Sequence, residues 1–344
     1  MDTQVATRLL PATAEAVEEA AARLRAGGLV AFPTETVYGL GADARDGAAV
    51  ARLYVAKGRP RFNPLIAHVA DIAGARELAT LDAQAQRLAR AFWPGPLTLV
   101  LPKRIGAPVA DLATAGLESV AVRVPAHPVA RDLLRAFAGP IVAPSANRSG
   151  HVSPTEAAHV LADLDRRIDL IIDGGATQVG LESTIVACLG DVPMLLRPGG
   201  LPREAIERVL CAGLRVWMEG AGGEVAALAP GQLASHYAPR AQLRLNAIDV
   251  APNEALLAFG PALPPGAERA QRVLTLSASG DLIEAATNLF SHLRSLDGNG
   301  VATIAVMPIP FTGLGEAIND RLRRAAAPRC DIPSEVHFLR SSQN

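Results

Sequence analysis

The chain has 344 residues, more than one hydrophobic core ordinarily supports, so two domains are expected. Its 33 lysines and arginines nearly cancel 34 aspartates and glutamates; at a net charge of −1 no overall field draws it to nucleic acid, and any polyanion must be met locally. With 49% apolar residues, no apolar run long enough to span a bilayer, and Cys188, Cys211 and Cys330 far apart without CxxC spacing, the composition predicts a soluble protein with free, buried thiols in a reducing compartment and no metal site.

An acidic N-terminus with Asp2, Glu15, Glu18 and Glu19 does not read as a signal peptide, so a cytoplasmic location is expected. Val17, Ala20, Ala21 and Leu24 keep a helical period that stops at Gly27 and Gly28. The stretch "LVAFPTETVYGLGADA" over residues 29–44 then begins as a strand. It runs on without an evident turn through Pro33, the hydroxyls of Thr34, Thr36 and Tyr38, the carboxylate of Glu35 and two glycines. A helix over 48–57, a strand at "LIAHV", a helix over 82–92 and strands at "LTLVL" and "SVAVRV" follow. Next come a helix over 128–137, the strand "PIVAP", a helix opening at Ser153, strands "IDLIID", "STIVACL" and "PMLLR", and a helix from Pro202. Ser153-Pro154-Thr155-Glu156 has the form of a capping box.

Glycine-rich residues 219–231 lose periodicity and mark a linker. A smaller alternating unit follows: "LLAFG", "RVLTLSA", a helix over 281–296, "TIAVMPI" and a helix over 315–326. The expected organisation is a large α/β domain over 1–210, a linker over 211–240 and a small α/β domain over 241–344.

Polar clusters sit at several of these strand ends, where open α/β sheets bind ligands. Residues 34–38 form the first. In "KGRPRFNPL", Lys57, Arg59 and Arg61 lie within five residues in a loop stiffened by Pro60 and Pro64. Such a group suits an oligophosphate, although a solvated basic loop is the plain alternative. "VAPSANRSG" brings Ser145, Asn147, Arg148 and Ser149 to a strand end, which could equally be an ordinary turn. In "ESVAVRV" the period of two puts Ser119, Ala121 and Arg123 on one face, and a buried arginine there needs an anion. Glu182, Ser183 and Thr184 open another strand, and Arg197 closes one. His68 lies within a strand, where a hydrogen-bonded core role competes with a functional one. No histidine has a partner at metal-ligand spacing, and no nucleophile elbow, P-loop or GxGxxG fingerprint is present.

In order, "FPTETVYGLGADA", "KGRPRFNPLIAHV", "WPGPLTLVL", "VAVRVPAHPVA", "APSANRSGHVSPT", "ESTIV" and "LRPGG" resemble the YrdC-like threonylcarbamoyl-adenylate synthases over residues 10–210. "PGQLASHYAPRA" over 230–241 resembles the linker of the longer, two-domain form. The resemblance implies a twisted, mixed open sheet with helices, plus a smaller Rossmann-like α/β domain. It implies a nucleotidyltransferase that joins L-threonine, bicarbonate or CO2, and ATP, with Mg2+ on the triphosphate, into threonylcarbamoyl-AMP and pyrophosphate. A partner tRNA threonylcarbamoyltransferase complex then carries the group to the N6 of a tRNA adenosine. By resemblance Lys57 and Arg59 act on the triphosphate, and Arg61, Ser119, Ser145, Asn147, Ser153, Arg197, His236 and Tyr237 join them around ATP. Thr34, His68, Arg123, Ser183 and Thr184 surround threonine. Ser119 stands where the family often has threonine, which keeps the hydroxyl. Two rival readings are an RNA-binding module, which near-zero net charge and 4% aromatic content oppose, and a carbamoyl-phosphate-dependent carbamoyl transferase, whose accessory segments have no counterpart here.

Overall fold

The computed structural model describes residues 6–60, 62–217, 237–297 and 300–328. The strands are β1 (Arg8–Pro11), β2 (Val30–Pro33), β3 (Tyr38–Asp43), β4 (Ile66–His68), β5 (Leu97–Pro102), β6 (Ser119–Arg123), β7 (Ile141–Val142), β8 (Leu170–Asp173), β9 (Thr184–Ala187), β10 (Met194–Arg197) and β11 (Arg215–Val216). Among the described residues they form one mixed sheet in the order β1-β8-β2-β3-β7-β4-β6-β5-β9-β10-β11. A second sheet is all parallel: β12 (Gln242–Arg244), β15 (Thr303–Val306), β13 (Glu254–Ala258) and β14 (Val273–Thr275) lie side by side in that order. The α/β class with a large mixed sheet and a smaller second one is as the sequence predicts.

Side-chain alternation explains how helices cover the large sheet. In β2, Val30 and Phe32 enter one core with Leu24 and Leu133, from helices Ala14–Arg25 and Pro128–Phe137. Ala31, between them, enters the opposite core with Val50 and Val160, from helices Gly47–Lys57 and Ala157–Leu164. Both faces are therefore closed, and open edges for ligands are left at strand ends.

Several expectations change. Residues 29–44 do turn: β2 and β3 form an antiparallel hairpin in which Pro33 faces Tyr38, and residues 34–37 make the turn. The Thr34 hydroxyl takes up the turn's polar groups, donating to the Val37 carbonyl at 2.7 Å, which is why a Thr-Glu-Thr sequence can reverse the chain. The predicted capping box does not form. The helix starts at Ala157 with Glu156 as its N-cap and no side-chain cap bond, because the Ser153 hydroxyl donates to Glu182 instead. β1, β11, β12 and the helix Ile72–Leu78 are short elements the periodicity did not announce. Cys188 is buried but Cys211 is exposed.

The second sheet does not keep its core to itself. Val37, Val152 and Leu181 pack with Leu289, Phe290, Leu293 and Ile318 in a single cluster. The two parts of the chain thus share apolar surface directly beneath the hairpin turn.

Gly199, in the "LRPGG" turn after β10, shows how tightly the strand ends pack. A Cβ there would lie 2.4 Å from the Glu182 carbonyl oxygen and 2.5 Å from the Thr184 nitrogen. Gly199→Ala is expected to cost about 1–3 kcal/mol and to lower Tm in a thermal melt. Gly190→Ala, with nothing within 4 Å of the added carbon, is expected to stay within about 0.5 kcal/mol of the parent.

Candidate active site

A cleft of about 470 Å³, counting its open mouth, lies at the strand ends and is lined by residues from eight separated segments of sequence, among them Thr36, Arg59, Arg123, Ser145, Glu182 and Arg197. His68, Ser183 and Tyr237 also line it.

Sheet register builds its floor. His68 closes β4 and Arg123 closes β6, and the two strands run parallel with these residues directly paired. Thr98 of β5 pairs with Arg123 from the other side. Burial would oppose the Arg123 charge, and Glu35 from the hairpin turn answers it at 2.6 Å, with both side chains under a tenth exposed. The second Glu35 oxygen accepts from the Ala126 N–H at 2.9 Å. Burial alone would push the Glu35 carboxyl up, but the Arg123 charge and these bonds win and hold it below the usual carboxylate range. His68 goes the other way: burial, aided by Arg123, pushes it down to about 3, so the imidazole is neutral at pH 7. Its Nδ1 lies 3.2 Å from the Ile66 carbonyl.

The cationic wall comes from the "KGRP" turn. Lys57 ends its helix because Gly58 adopts the left-handed conformation, φ 60°, that a helix C-terminus favours in glycine. The Lys57 ammonium donates to the Ser145 carbonyl at 2.5 Å and to the Asn147 carbonyl. Arg59 donates to the Pro64 carbonyl at 3.2 Å, while its buried Nε has no partner among the described residues. Burial, with help from Arg59, pushes Lys57 well below its usual range; burial above all pushes Arg59 down to about 10, which leaves it charged at neutral pH. Arg197, at the end of β10, donates to the Ser183 carbonyl at 2.8 Å and the Ser183 hydroxyl at 3.3 Å. Burial lowers its pKa as well. These cations are held mainly by carbonyl oxygens, which stabilise them without cancelling their charge.

The structure brings Arg59, His68, Arg123, Ser145, Ser183, Arg197 and Tyr237 to the cleft lining. Lys57, Asn147 and Ser153 stand one contact behind it, against Ser145 and Glu182. Thr34 is also a step back: its hydroxyl lies 2.8 Å from that of Thr36, and Thr36 is the residue that lines the cleft. Thr184 spends its hydroxyl on the Leu201 backbone, donating at 2.6 Å, and Ser119 opens β6 at the far end from Arg123. Tyr38 turns its hydroxyl to the Gly175 carbonyl at 2.7 Å, away from the other residues of its cluster. Arg61 and His236 lie outside the described residues. Thr36 and Glu182 were within reach of sequence reading, since both sit inside the polar clusters; which member of a turn faces inward is set by the hairpin. Among the described residues no cluster of His, Cys, Asp and Glu could hold a metal ion.

Residues 22–199 match the Sua5/YciO/YrdC family, described as "Telomere recombination", and residues 201–327 match the threonylcarbamoyl-AMP synthase C-terminal domain. The chain is 43% identical over 328 residues to a Bacillus subtilis threonylcarbamoyl-AMP synthase, covering 91% of this chain and 93% of the relative. It is 44% identical to the Pyrococcus abyssi enzyme of the same name, covering 90% and 94%. A crystal structure of P. abyssi Sua5 complexed with L-threonine superposes with a TM-score of 0.85 at 41% identity, covering 93% of this chain and 98% of that one. The chain belongs to the Sua5/YrdC threonylcarbamoyl-AMP synthase family.

The depressed Lys57 pKa makes a test that needs only an anion. An oligophosphate beside Lys57 raises its pKa again, so binding takes up protons, and affinity falls as pH rises from the free to the bound pKa. Calorimetry with inorganic pyrophosphate over a pH series, in buffers of differing ionisation enthalpy, is expected to show proton uptake that grows as pH rises through the lowered pKa of free Lys57 and disappears in Lys57→Met.

Proposed function

We propose that the cleft is where this chain makes threonylcarbamoyl-AMP, with threonine over the His68–Arg123 row and the triphosphate along Lys57, Arg59, Ser145, Asn147 and Arg197. The observation that carries this reading is the buried Nε of Arg59, a donor with no partner among the described residues, beside a Lys57 that donates to the neutral carbonyls of Ser145 and Asn147. A polyanion satisfies that donor, and arginine forks match phosphate oxygens. The threonine end is different in kind. Arg123 arrives with Glu35 as its counter-ion and His68 is neutral, so that end offers hydrogen bonds and one balanced pair to a zwitterionic amino acid.

The chemistry follows from bringing the two ends together. The threonine ammonium first loses a proton to solvent; the free amine then adds to CO2, forming an N–C bond and losing a second proton to solvent to give a carbamate. A carbamate oxygen then attacks the α-phosphorus of ATP as the bond to the β-phosphate oxygen breaks and pyrophosphate leaves. Arg59, Arg197 and Lys57 stabilise charge as it moves onto the leaving group. Alignment in one cavity contributes on the order of 7–11 kcal/mol at best, without any acid or base. His68, held neutral, adds no charge that would attract the carbamate away from the phosphorus. Enclosure protects the carbamate, which reverts in water.

Mg2+ fits the phosphate end. The Asn147 amide nitrogen donates to the Arg148 and His151 carbonyls, both at 2.8 Å, and leaves Oδ1 buried without a partner among the described residues. A buried amide oxygen of that sort is a donor a hard cation accepts alongside triphosphate oxygens, whose charge the ion offsets. The product then passes to the tRNA-modifying partner complex. No helix among the described residues is long and apolar enough to cross a membrane. The cations are buried inside the cleft, which speaks against a surface for RNA.

Pyrophosphate release is expected to depend on ATP, threonine and bicarbonate together; release driven by carbamoyl phosphate instead would overturn the reading. Threonine selection requires a hydrogen bond to the substrate hydroxyl. Thr36 lines the cleft and Thr34 holds it, so Thr36→Val is expected to raise the KM for threonine roughly tenfold, about 1.4 kcal/mol, with ATP binding little changed. Steady-state kinetics varying each substrate in turn reads the difference; equal losses for both substrates contradict the assignment.

A further inference from the structure

One charged side chain in the second part of the chain reaches the cleft. Arg321, on the helix Leu314–Ala326, is fully buried, the largest such side chain described. Its Nε donates to Glu182 at 2.7 Å, Nη1 to Asp320 at 2.5 Å and Nη2 to the Pro198 carbonyl at 3.0 Å. Its guanidinium carbon stands 5.1 Å from the Tyr237 ring centroid, and that ring stacks on Phe290 at 5.7 Å.

Glu182 and Tyr237 both line the cleft, so Arg321 touches two of its walls from behind. The other Glu182 oxygen accepts from Ser153 at 2.5 Å. Burial would push the Glu182 carboxyl up, yet the charges of Arg321 and Arg197 keep it lowered and ionised. An ionised carboxylate beside Arg197 is a rival to any phosphate. Its neighbour Ser183 supplies the carbonyl that holds Arg197, so the rival is also well placed.

We propose that Arg321 is a positioning residue for threonylcarbamoyl-AMP synthesis: by binding the Glu182 carboxylate and backing Tyr237, it keeps Glu182 from competing with the nucleotide's phosphates for Arg197. The proposal rests on the reading of the cleft given above. It assigns the second part of the chain a charge-balancing role in nucleotide binding.

The test is a double-mutant cycle on the full chain with Arg321→Met and Glu182→Gln, read as the Kd of a non-hydrolysable ATP analogue by calorimetry and as KM and kcat for ATP. Arg321→Met is expected to weaken analogue binding and raise the KM for ATP about tenfold or more, with kcat changed less than about threefold. Adding Glu182→Gln removes the rival charge and is expected to bring the Kd back to within about threefold of the parent. A loss that Glu182→Gln does not relieve, or an Arg321→Met Kd within about twofold of the parent, overturns the proposal. If Arg321→Met does not fold, Arg321→Lys with and without Glu182→Gln is read by the same criteria. If the parent protein releases no pyrophosphate with threonine and bicarbonate, the assigned activity fails, while the analogue Kd values still decide the role of Arg321.

Discussion

Lys57, Arg59, Arg123 and Arg197 are all withdrawn from water around one cleft, and withdrawing an ion costs several kcal/mol unless something nearby answers its charge. The fold answers in two ways. Arg123 receives a full carboxylate, Glu35, and becomes part of a neutral pair. Lys57 and Arg59 receive backbone carbonyls, and Arg197 the carbonyl and hydroxyl of Ser183 with the Glu182 charge nearby, itself bound by Arg321. Carbonyl dipoles lower the cost of burial but leave the net charge standing, so this side of the cleft remains electropositive. On the proposed reading, this division between a neutral end and a cationic end gives the amino acid and the triphosphate separate places in one cavity.

Much of this was legible in the sequence, because the signals involved are local. The helices over 48–57, 82–92 and 128–137 fell within a residue of where periodicity placed them, since their apolar stripes face closed cores. Arg123 was flagged by the period of two in β6, which put a cation on an inward face. Other features depend on distant partners and left no such trace. Ser153 carries the right spacing for a helix cap, but Glu182, brought in by a different loop, is a stronger acceptor and takes its hydroxyl. The hairpin at residues 34–37 hid because it lacks Asn-Gly or similar turn residues; the Thr34 side chain performs their role. The hairpin also decides which threonine lines the cleft, Thr36, with the Thr34 hydroxyl 2.8 Å behind it.

Arg321 was invisible for a further reason. In sequence it reads as one of several arginines on an amphipathic helix, which ordinarily face water. Only the packing of that helix against the "ESTIV" and "LRPGG" turns shows that it is dry and that its partner is 139 residues away. Close packing at Gly199 keeps those turns within reach of it, since the backbone there has no room for even a methyl group.

The same packing explains why the second sheet bears on both ends of the cleft. Val37 lines the cleft next to Thr36 and is also a member of the second sheet's core, with Phe290 and Ile318. The carbonyl of Glu35, whose carboxylate balances Arg123, accepts from the Val179 N–H at 2.9 Å, and Val179 packs against that core too. Tyr237, on the opposite side, stacks on Phe290 itself. The turn proposed to meet the amino acid and the wall proposed to meet the nucleotide therefore rest on one apolar body.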